Sequence, residues 1–519
     1  MTELREKLNN IVEDYNACKM LAKGVGNPSA YEGTTATASD IRAGKTAYSN
    51  GSYITGTMAS LNGIIDTAED TAEIFTVINN LRYLSVADLD LSKYTSFKGS
   101  FQNLINLKEL EGEFDTGETT TLENTFDGCA SLKKITFKDT SKIQTWTKAF
   151  QNCAELEEIE NLDMSGATAI TYAFSGCSKL KSIPKLTKSF SSYEGTFQDC
   201  AEMEEIPISQ TTIPDSCSIR SAFAGMKKIK TAPIVNIPRQ NAVRYNAFEG
   251  CESLESVTLV NTGGYTFTDV SVSSMFQNCK SLKEVPAIFD NFALRNGCSY
   301  LFAGCTSLKT TPRMYAVATS TSMASLFEGC TNLESATLQV NCTQTGDTYF
   351  KNVFKDCVNL KNVTITGSSY GISNWFENCK SLTSIPEGIL VNGFPASYGV
   401  RAFAGSGITE LPEGLFQGVS LSGTNSRRSD FSGLFADCKQ LQHIPVLPMS
   451  FNWANGMAGM FSGCDALTDD SLNNIMATFM ANTNAGYKYL SHYGFSAEQR
   501  ERCKTLPNYG AFVAAGWQA

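Results

Sequence analysis

Between residues 101 and 467 the apolar positions of the chain recur in one order. A Phe is followed three residues later by a Cys, then usually by a Leu, and in many copies by an Ile or Val three further on. Clear copies of Phe-x-x-Cys start at Phe126, Phe150, Phe174, Phe197, Phe248, Phe276, Phe302, Phe327, Phe354, Phe376, Phe435 and Phe461. Three more keep the Phe and change its partner: Phe101 with Leu104, Phe223 with Met226 and Phe403 with Ser406. The mean spacing is about 26 residues, inside the range of solenoid units. Phe and Cys, at i and i+3, are predicted to share one face of a helical turn. The second half of the unit, such as Leu180, Ile183 and Pro184, is predicted to be a short strand closed by a residue that cannot donate a ladder hydrogen bond. A single coil of this kind has nowhere to bury its apolar face. Stacked on its neighbours it builds a continuous core, Phe on Phe and Cys on Cys. The pattern predicts an α/β repeat solenoid of about fifteen coils with short parallel strands.

The pattern changes at both ends. Leu4, Leu8, Ile11, Tyr15 and Cys18 form a heptad stripe, which predicts an amphipathic helix over 2–22. It either docks on its own chain or serves oligomerisation, with partner contact needed because so short a helix is marginal alone. Residues 45–58 alternate apolar and polar on both sides of Asn50-Gly51, the dipeptide that supplies the positive φ values of a two-residue hairpin. Beyond Phe461 the repeat stops. Thr468 is placed to N-cap a helix through about Met480, and a second helical stretch starts near Ser496. Four segments result: an N-terminal helix and linker (1–30), a β-hairpin anchoring module (31–65), the solenoid (66–467) and a helical C-terminal cap (468–519) covering the last coil.

Charge and cysteine usage narrow the function. The net charge is −10, from 42 basic and 52 acidic residues, and no basic cluster is present to displace counterions, which argues against a nucleic-acid partner. No window approaches 18 uninterrupted apolar residues, so membrane insertion is not expected. The first residues mix acids and bases without an apolar stretch, so an ordinary signal-peptide route is not expected either. Of the 17 cysteines, the repeat takes Cys129, Cys153, Cys177, Cys200, Cys251, Cys279, Cys305, Cys330, Cys357, Cys379, Cys438 and Cys464. They read as small buried hydrophobes, since Leu, Met and Ser replace them in sister copies. Paired C-x-x-C spacing, which a metal site would want, does not occur. Disulfides between coils stay open, although equivalent positions point every thiol the same way.

The units AFSGCSKLKSIP (173–184), MFQNCKSLKEVP (275–286), LFAGCTSLKTTP (301–312) and WFENCKSLTSIP (375–386) resemble the BspA-type leucine-rich repeats. LDLSKYTSFKGSF (89–101) and NLDMSGAT (161–168) resemble the related LDLS repeats of bacterial and phage surface proteins. The resemblance covers about residues 80–467, with departures at Ala232 and Thr311 where Ile or Val is expected. It implies a right-handed leucine-rich-repeat solenoid used in adhesion or host recognition, without catalytic residues. The stretch SDIRAGKTAYSNGSYITGTM (39–58) resembles a module near the ends of tailed-phage structural proteins. The helix-then-GW ending is similar to those of phage repeat proteins.

A search for chemistry finds little. His443 reads as a surface position of a coil and His492 as packing among aromatics. No nucleophile elbow, phosphate loop or metal-protease motif occurs. Glu157-Glu158, Glu204-Glu205 and Asp469-Asp470 read as a solvated face rather than as glycosidase carboxylates, which need a defined separation in a cleft. No catalytic, cofactor or metal residue is assigned, and no enzyme is expected. Tyr300, Tyr315, Tyr349, Tyr370 and Tyr398 fall between repeats and are either loop anchors or recognition residues. The leading expectation is a phage virion protein (fibre, tail tip or capsid decoration). Residues 1–65 would contact other virion proteins, and the solenoid would face a host surface protein or glycan, with homo-oligomerisation compatible. The alternative is a bacterial cell-surface adhesin or interaction scaffold.

Overall fold

The computed structural model describes residues 46–49, 52–55, 83–86 and 91 and, from 96 to the C-terminus, all but 210–211, 215, 237–243, 261–271, 290–292, 295–296, 319–321, 343–348, 370, 391–397, 419–429, 449–456 and 483–486. Leu4, Leu8, Ile11, Tyr15, Asn50 and Gly51 lie outside the described residues. The arms on either side of Asn50-Gly51 are described. They are β1 (Thr46–Ser49) and β2 (Ser52–Thr55), antiparallel with Ser49 opposite Ser52.

Around each Phe the chain departs from the helical turn that the i, i+3 spacing suggests. The residues two before and two after hold positive φ: Asn124 and Gly128 flank Phe126, and Tyr300 and Gly304 flank Phe302. A left-handed residue at every fourth position stops an α-helix from propagating, so the segment runs as linked tight turns. Its N–H groups divide into two sets. Thr125 and Cys129 donate within the coil, to Leu122 O at 3.0 Å and Phe126 O at 3.1 Å. Asn124, Phe126 and Gly128 donate to the following coil, to Thr147 O at 3.0 Å, Ala149 O at 2.9 Å and Gln151 O at 2.7 Å. These five backbone donors are thereby satisfied, and the crossing bonds fix the register of coil on coil.

That register places equivalent side chains in contact. The +2 position shows how tightly. A Cβ on Gly128 would lie 2.5 Å from Asn103 Oδ1, and one on Gly304 would lie 2.3 Å from Asn278 Oδ1. An Asn in one coil therefore occupies the side-chain space of the next, and glycine, which also accepts the positive φ, is the residue that fits. Where two such side chains meet they bond, as Asn378 Nδ2 does to Asp356 Oδ1 at 2.7 Å.

The described residues form two compact units, one running to 213 and including 217–229, the other made of 214–216 and 230–519. In the first unit the rings of Phe101, Phe126, Phe150, Phe174, Phe197 and Phe223 stack with centroids 5.1 to 6.4 Å apart. Here β3 (Tyr83–Ser85) pairs in parallel with β4 (Glu109–Glu111), and β5 (Glu113–Asp115), β6 (Lys134–Asp139) and β7 (Glu158–Glu160) form a parallel sheet. The two-residue β8 (Thr212–Ile213) follows. In the second unit the stack runs from Phe248 to Phe461 with centroids 5.2 to 5.9 Å apart. There β9 (Ile234–Asn236) pairs with β10 (Leu259–Val260). A four-stranded parallel sheet comprises β11 (Ala293–Leu294), β12 (Thr310–Ala318), β13 (Ser335–Cys342) and β14 (Asn362–Ser368).

Several repeats that end in proline make only short pairings. Repeats ending in Pro184, Pro207 or Pro412 make isolated bridges such as Leu186 with Ile208 and Glu410 with His443. The proline-free KITFKD, SATLQV and NVTITG segments carry β6, β13 and β14. A proline has no N–H for the ladder. β12 contains Pro312, and its pairing with β13 shifts register between Thr310 and Arg313, at the Thr311 departure.

Three helices close the chain. α1 (Asp469–Met480) is N-capped by the Thr468 hydroxyl, which accepts from Ser471 N–H; α2 (Ala497–Cys503) opens on a Ser496/Gln499 capping box; α3 is Tyr509–Ala514. The last Phe coil passes its crossing bonds to this segment. Gly459 N–H donates to His492 O at 2.8 Å and Phe461 N–H to Tyr493 O at 2.9 Å, and Gln499 Nε2 donates to Cys464 O at 2.7 Å.

Candidate functional site

The ladder residues face inward. Phe126, Cys129, Phe150, Cys153, Phe174, Cys177, Phe276, Cys279, Phe302, Cys305, Phe327, Cys330, Phe354 and Cys357 are all buried. Each thiol does more than fill space. Cys129 Sγ donates to Phe101 O at 3.0 Å, Cys153 to Phe126 O at 3.0 Å and Cys305 to Phe276 O at 3.0 Å. The thiol thus reaches a carbonyl of the preceding coil, a bond that Leu104 or Met226 cannot supply. Burial pushes the Cys129 thiol up to about 12 and the Cys438 thiol up to about 11. A thiol held neutral is neither nucleophile nor metal ligand. Among the described residues every cysteine is buried and outside any disulfide, and no group of three or more His, Cys, Asp or Glu is placed to hold a metal ion.

Four residues of the acidic pairs lie in ion pairs, three of them between coils and Asp469 between two of the terminal helices. Glu157 meets Lys181 at 3.2 Å, Glu158 meets Lys134 at 3.6 Å, Glu205 meets Lys185 at 3.6 Å and Asp469 meets Arg502 at 2.6 Å. A depression of about 480 Å³ in the first unit is walled by Lys181, Lys185, Glu202, Glu205 and Lys228, where Lys228 and Glu202 pair at 2.6 Å. Its charges neutralise one another in solvent. His443 is an exposed residue in a bridge with Glu410, and His492 stacks on Tyr487 with centroids 4.5 Å apart. No helix among the described residues is long and apolar enough to cross a membrane.

The strand faces pointing away from the Phe stacks differ between the units. On β5–β7 the outward side chains include Asp115, Lys134, Lys138, Glu158 and Glu160. Lys138 bonds Asp115 at 2.8 Å and Lys134 bonds Glu160 at 2.6 Å. The Lys138 ammonium holds the Asp115 carboxyl below its ordinary range. On β12–β14 the inward row is Met314, Leu338 and Ile365, all buried. Outward, Arg313 is level with Thr337 and Thr364, and Tyr315 is level with Gln339 and Thr366. Arg313, Thr364 and Thr366 are exposed. The Arg313 guanidinium carbon sits 5.1 Å from the centre of the Tyr315 ring, and Nη2 donates to Gln339 Oε1 at 3.1 Å. No carboxylate among the described residues lies within ion-pair distance of Arg313.

This face is the candidate recognition surface. Sequence reading singled out Tyr315 and missed Arg313, Gln339, Thr364 and Thr366. The readable signal was the alternation in SATLQV and NVTITG, where hydroxyl and amide residues take the places that Lys and Asp hold in KITFKD. Tyr300 and Tyr349 are exposed elsewhere on the coils, Tyr398 is half-buried, and Tyr370 lies outside the described residues.

Residues 95–230, 219–353, 298–415 and 351–487 match the BspA type leucine-rich repeat region, in six copies. No curated protein matches the chain at a significant level. The chain is similar to three bacterial proteins of known structure. A leucine-rich repeat protein of Bacteroides ovatus is 21% identical over 66% of this chain and 79% of its own, with a TM-score of 0.35. One of Eubacterium ventriosum is 20% identical over 62% of this chain and 88% of its own, also at 0.35. A leucine-rich cell surface protein of Faecalibacterium prausnitzii is 17% identical over 65% and 78%, at 0.31.

Proposed function

Since the chain belongs to the BspA-type leucine-rich repeat family, we propose that it is a non-enzymatic adhesin or interaction scaffold whose recognition surface is the outward face of β12–β14. One observation carries this reading. That face is uncharged except for an arginine with no carboxylate partner among the described residues, with Arg313, Thr364 and Thr366 exposed and Tyr315, Thr337 and Gln339 half-buried, whereas on the strand face of the first unit Lys134 and Lys138 are held in ion pairs. Unpaired donors and acceptors on a rigid sheet are ready for a ligand without rearrangement. The test is retention of the full chain on mucin-coated and matrix-coated surfaces, against a T364E/T366E double variant. Both threonines are exposed, so the fold should be kept, as circular dichroism would verify, and retention should fall. Undiminished retention by the variant would overturn the assignment of the face.

A second reading places the same scaffold on a phage virion, anchored through residues 1–65. The motif in residues 39–58 and the β1–β2 pairing favour it. Mass spectrometry of density-purified virions and washed cell envelopes discriminates the two locations. Deleting residues 1–65 should abolish incorporation into particles, and normal incorporation of the truncated chain would remove this reading.

A further inference from the structure

We infer that the β12–β14 face takes a largely neutral glycan bearing isolated carboxylates, and that Arg313 is the group that receives the carboxylate. This rests on the reading of that face as the recognition surface.

Arg313 is held in place before any ligand arrives. The Tyr315 ring supports the guanidinium at 5.1 Å, and Gln339 Oε1 accepts one of its N–H groups at 3.1 Å. A guanidinium carries five N–H donors in a fixed fork, so the remaining donors keep the planar geometry that suits a carboxylate. The strand-face lysines of the first unit offer no such capacity, because Lys134 and Lys138 already hold Glu160 and Asp115. Arg313 thus supplies one cation with open N–H donors.

The surroundings specify the rest of the ligand. Register sets the Thr337 and Thr364 hydroxyls in line with Arg313, and Gln339 and Thr366 in line with Tyr315. Adjacent strands are about 4.8 Å apart, so these groups form an evenly spaced array of hydroxyl and amide partners suited to a polyhydroxylated chain. Peptide docking draws on apolar anchors in pockets. Here Met314, Leu338 and Ile365 point into the core, and the one aromatic described on the outward side, Tyr315, is half-buried and taken up in holding Arg313. A densely anionic polymer is disfavoured as well, since it needs rows of cations, and this face has one in a chain of net charge −10. One carboxylate within a mostly neutral glycan is the complement that remains. Uronic and sialic acids both present it.

The experiment measures binding of the full chain, by biolayer interferometry, to four immobilised probes: hyaluronan, a sialyllactose conjugate, a lactose conjugate and poly-L-glutamate. Binding to hyaluronan or to the sialyllactose conjugate is expected, the stronger of the two identifying the acid. The lactose conjugate should bind at least tenfold more weakly. Arg313→Gln should lose at least tenfold on the preferred probe, and Arg313→Lys, which keeps charge without the fork, should recover only part. Equal binding of the lactose conjugate, equal binding of poly-L-glutamate, no binding to either acidic glycan, or an unaffected Arg313→Gln would each overturn the inference. Retention on mucin-coated and matrix-coated surfaces separates the two claims. If Arg313→Gln is retained while T364E/T366E is not, the face stands and the carboxylate assignment falls. If both variants are retained, the face itself is wrong.

Discussion

The two strand faces, β5–β7 in the first unit and β12–β14 in the second, each rest on a Phe and Cys ladder of the same kind and differ in what they present outside. Beneath each lies a stack of phenylalanines with Cys-to-carbonyl bonds between coils. Above the first, Lys134, Lys138, Glu160 and Asp115 satisfy one another. Above the second, Arg313, Gln339 and the threonines keep capacity to spare. The repeat therefore separates two tasks. The inward residues hold the coils in register, and the outward residues can change sign, size and chemistry without disturbing them. Exposed ion pairs contribute little to stability, so the charged face of the first unit is better understood as a face that needs no partner.

If the interiors are equivalent, raising the pH should damage both units, with the largest effect of all. Burial raises the thiols in the folded state, Cys129 in the first unit to about 12 and Cys438 in the second to about 11, from an ordinary value of 9.0. The folded protein thus holds protons that the unfolded chain gives up. This stabilisation is complete below pH 9 and is lost as pH rises toward the folded values, at about 1.4 kcal/mol per unit per thiol. Thiolate absorbance and near-ultraviolet circular dichroism should change together above pH 9. Thiolate appearing with tertiary structure intact would show that the ladder thiols are accessible.

Single core changes should come next. Phe150→Ala in the first unit and Phe302→Ala in the second should each cost about 3–5 kcal/mol, as other buried aromatics do. Denaturant unfolding checks this. A loss below about 1 kcal/mol at either position, the size expected of a surface site, would break the equivalence of the two interiors.

Gly304→Ala should cost about 1–3 kcal/mol. It places a side chain at positive φ and drives its Cβ toward Asn278 Oδ1. The N278G/G304A double variant should recover the contact part and leave the backbone part. If the double variant is no better than the single one, the Asn does not fill the space of the neighbouring coil.

The smallest effect is expected from Lys138→Gln, which removes the exposed pair with Asp115. No resolvable shift in the denaturant midpoint should follow. Asp115 is depressed mainly by the Lys138 hydrogen bond, so the pair's contribution is present above the ordinary carboxylate value of 3.8 and fades only as pH falls below it. A clear loss of stability near neutral pH would mean that the charged face does structural work, and the contrast with β12–β14 would narrow.

The sequence alone determined the coil. Phe-x-x-Cys-x-x-Leu at a repeat of about 26 residues admits few solutions other than stacking, because an isolated coil cannot bury its apolar side. Thr468 and Ser496 were also legible as helix starts, since a cap is a local bond between a side chain and an N–H a few residues away. Spacing misled at the Phe segment. An i, i+3 pair fits a helix and a run of tight turns equally well, and only crossing bonds such as Phe126 N–H to Ala149 O, made 23 residues away, selected the turns. The thiol bond to a neighbouring carbonyl, the alternation of Asn103 with Gly128, and the meeting of Arg313, Tyr315 and Gln339 are likewise contacts between coils. They follow from register. Register is set by hydrogen bonds between segments distant in sequence, and the tertiary structure decided it.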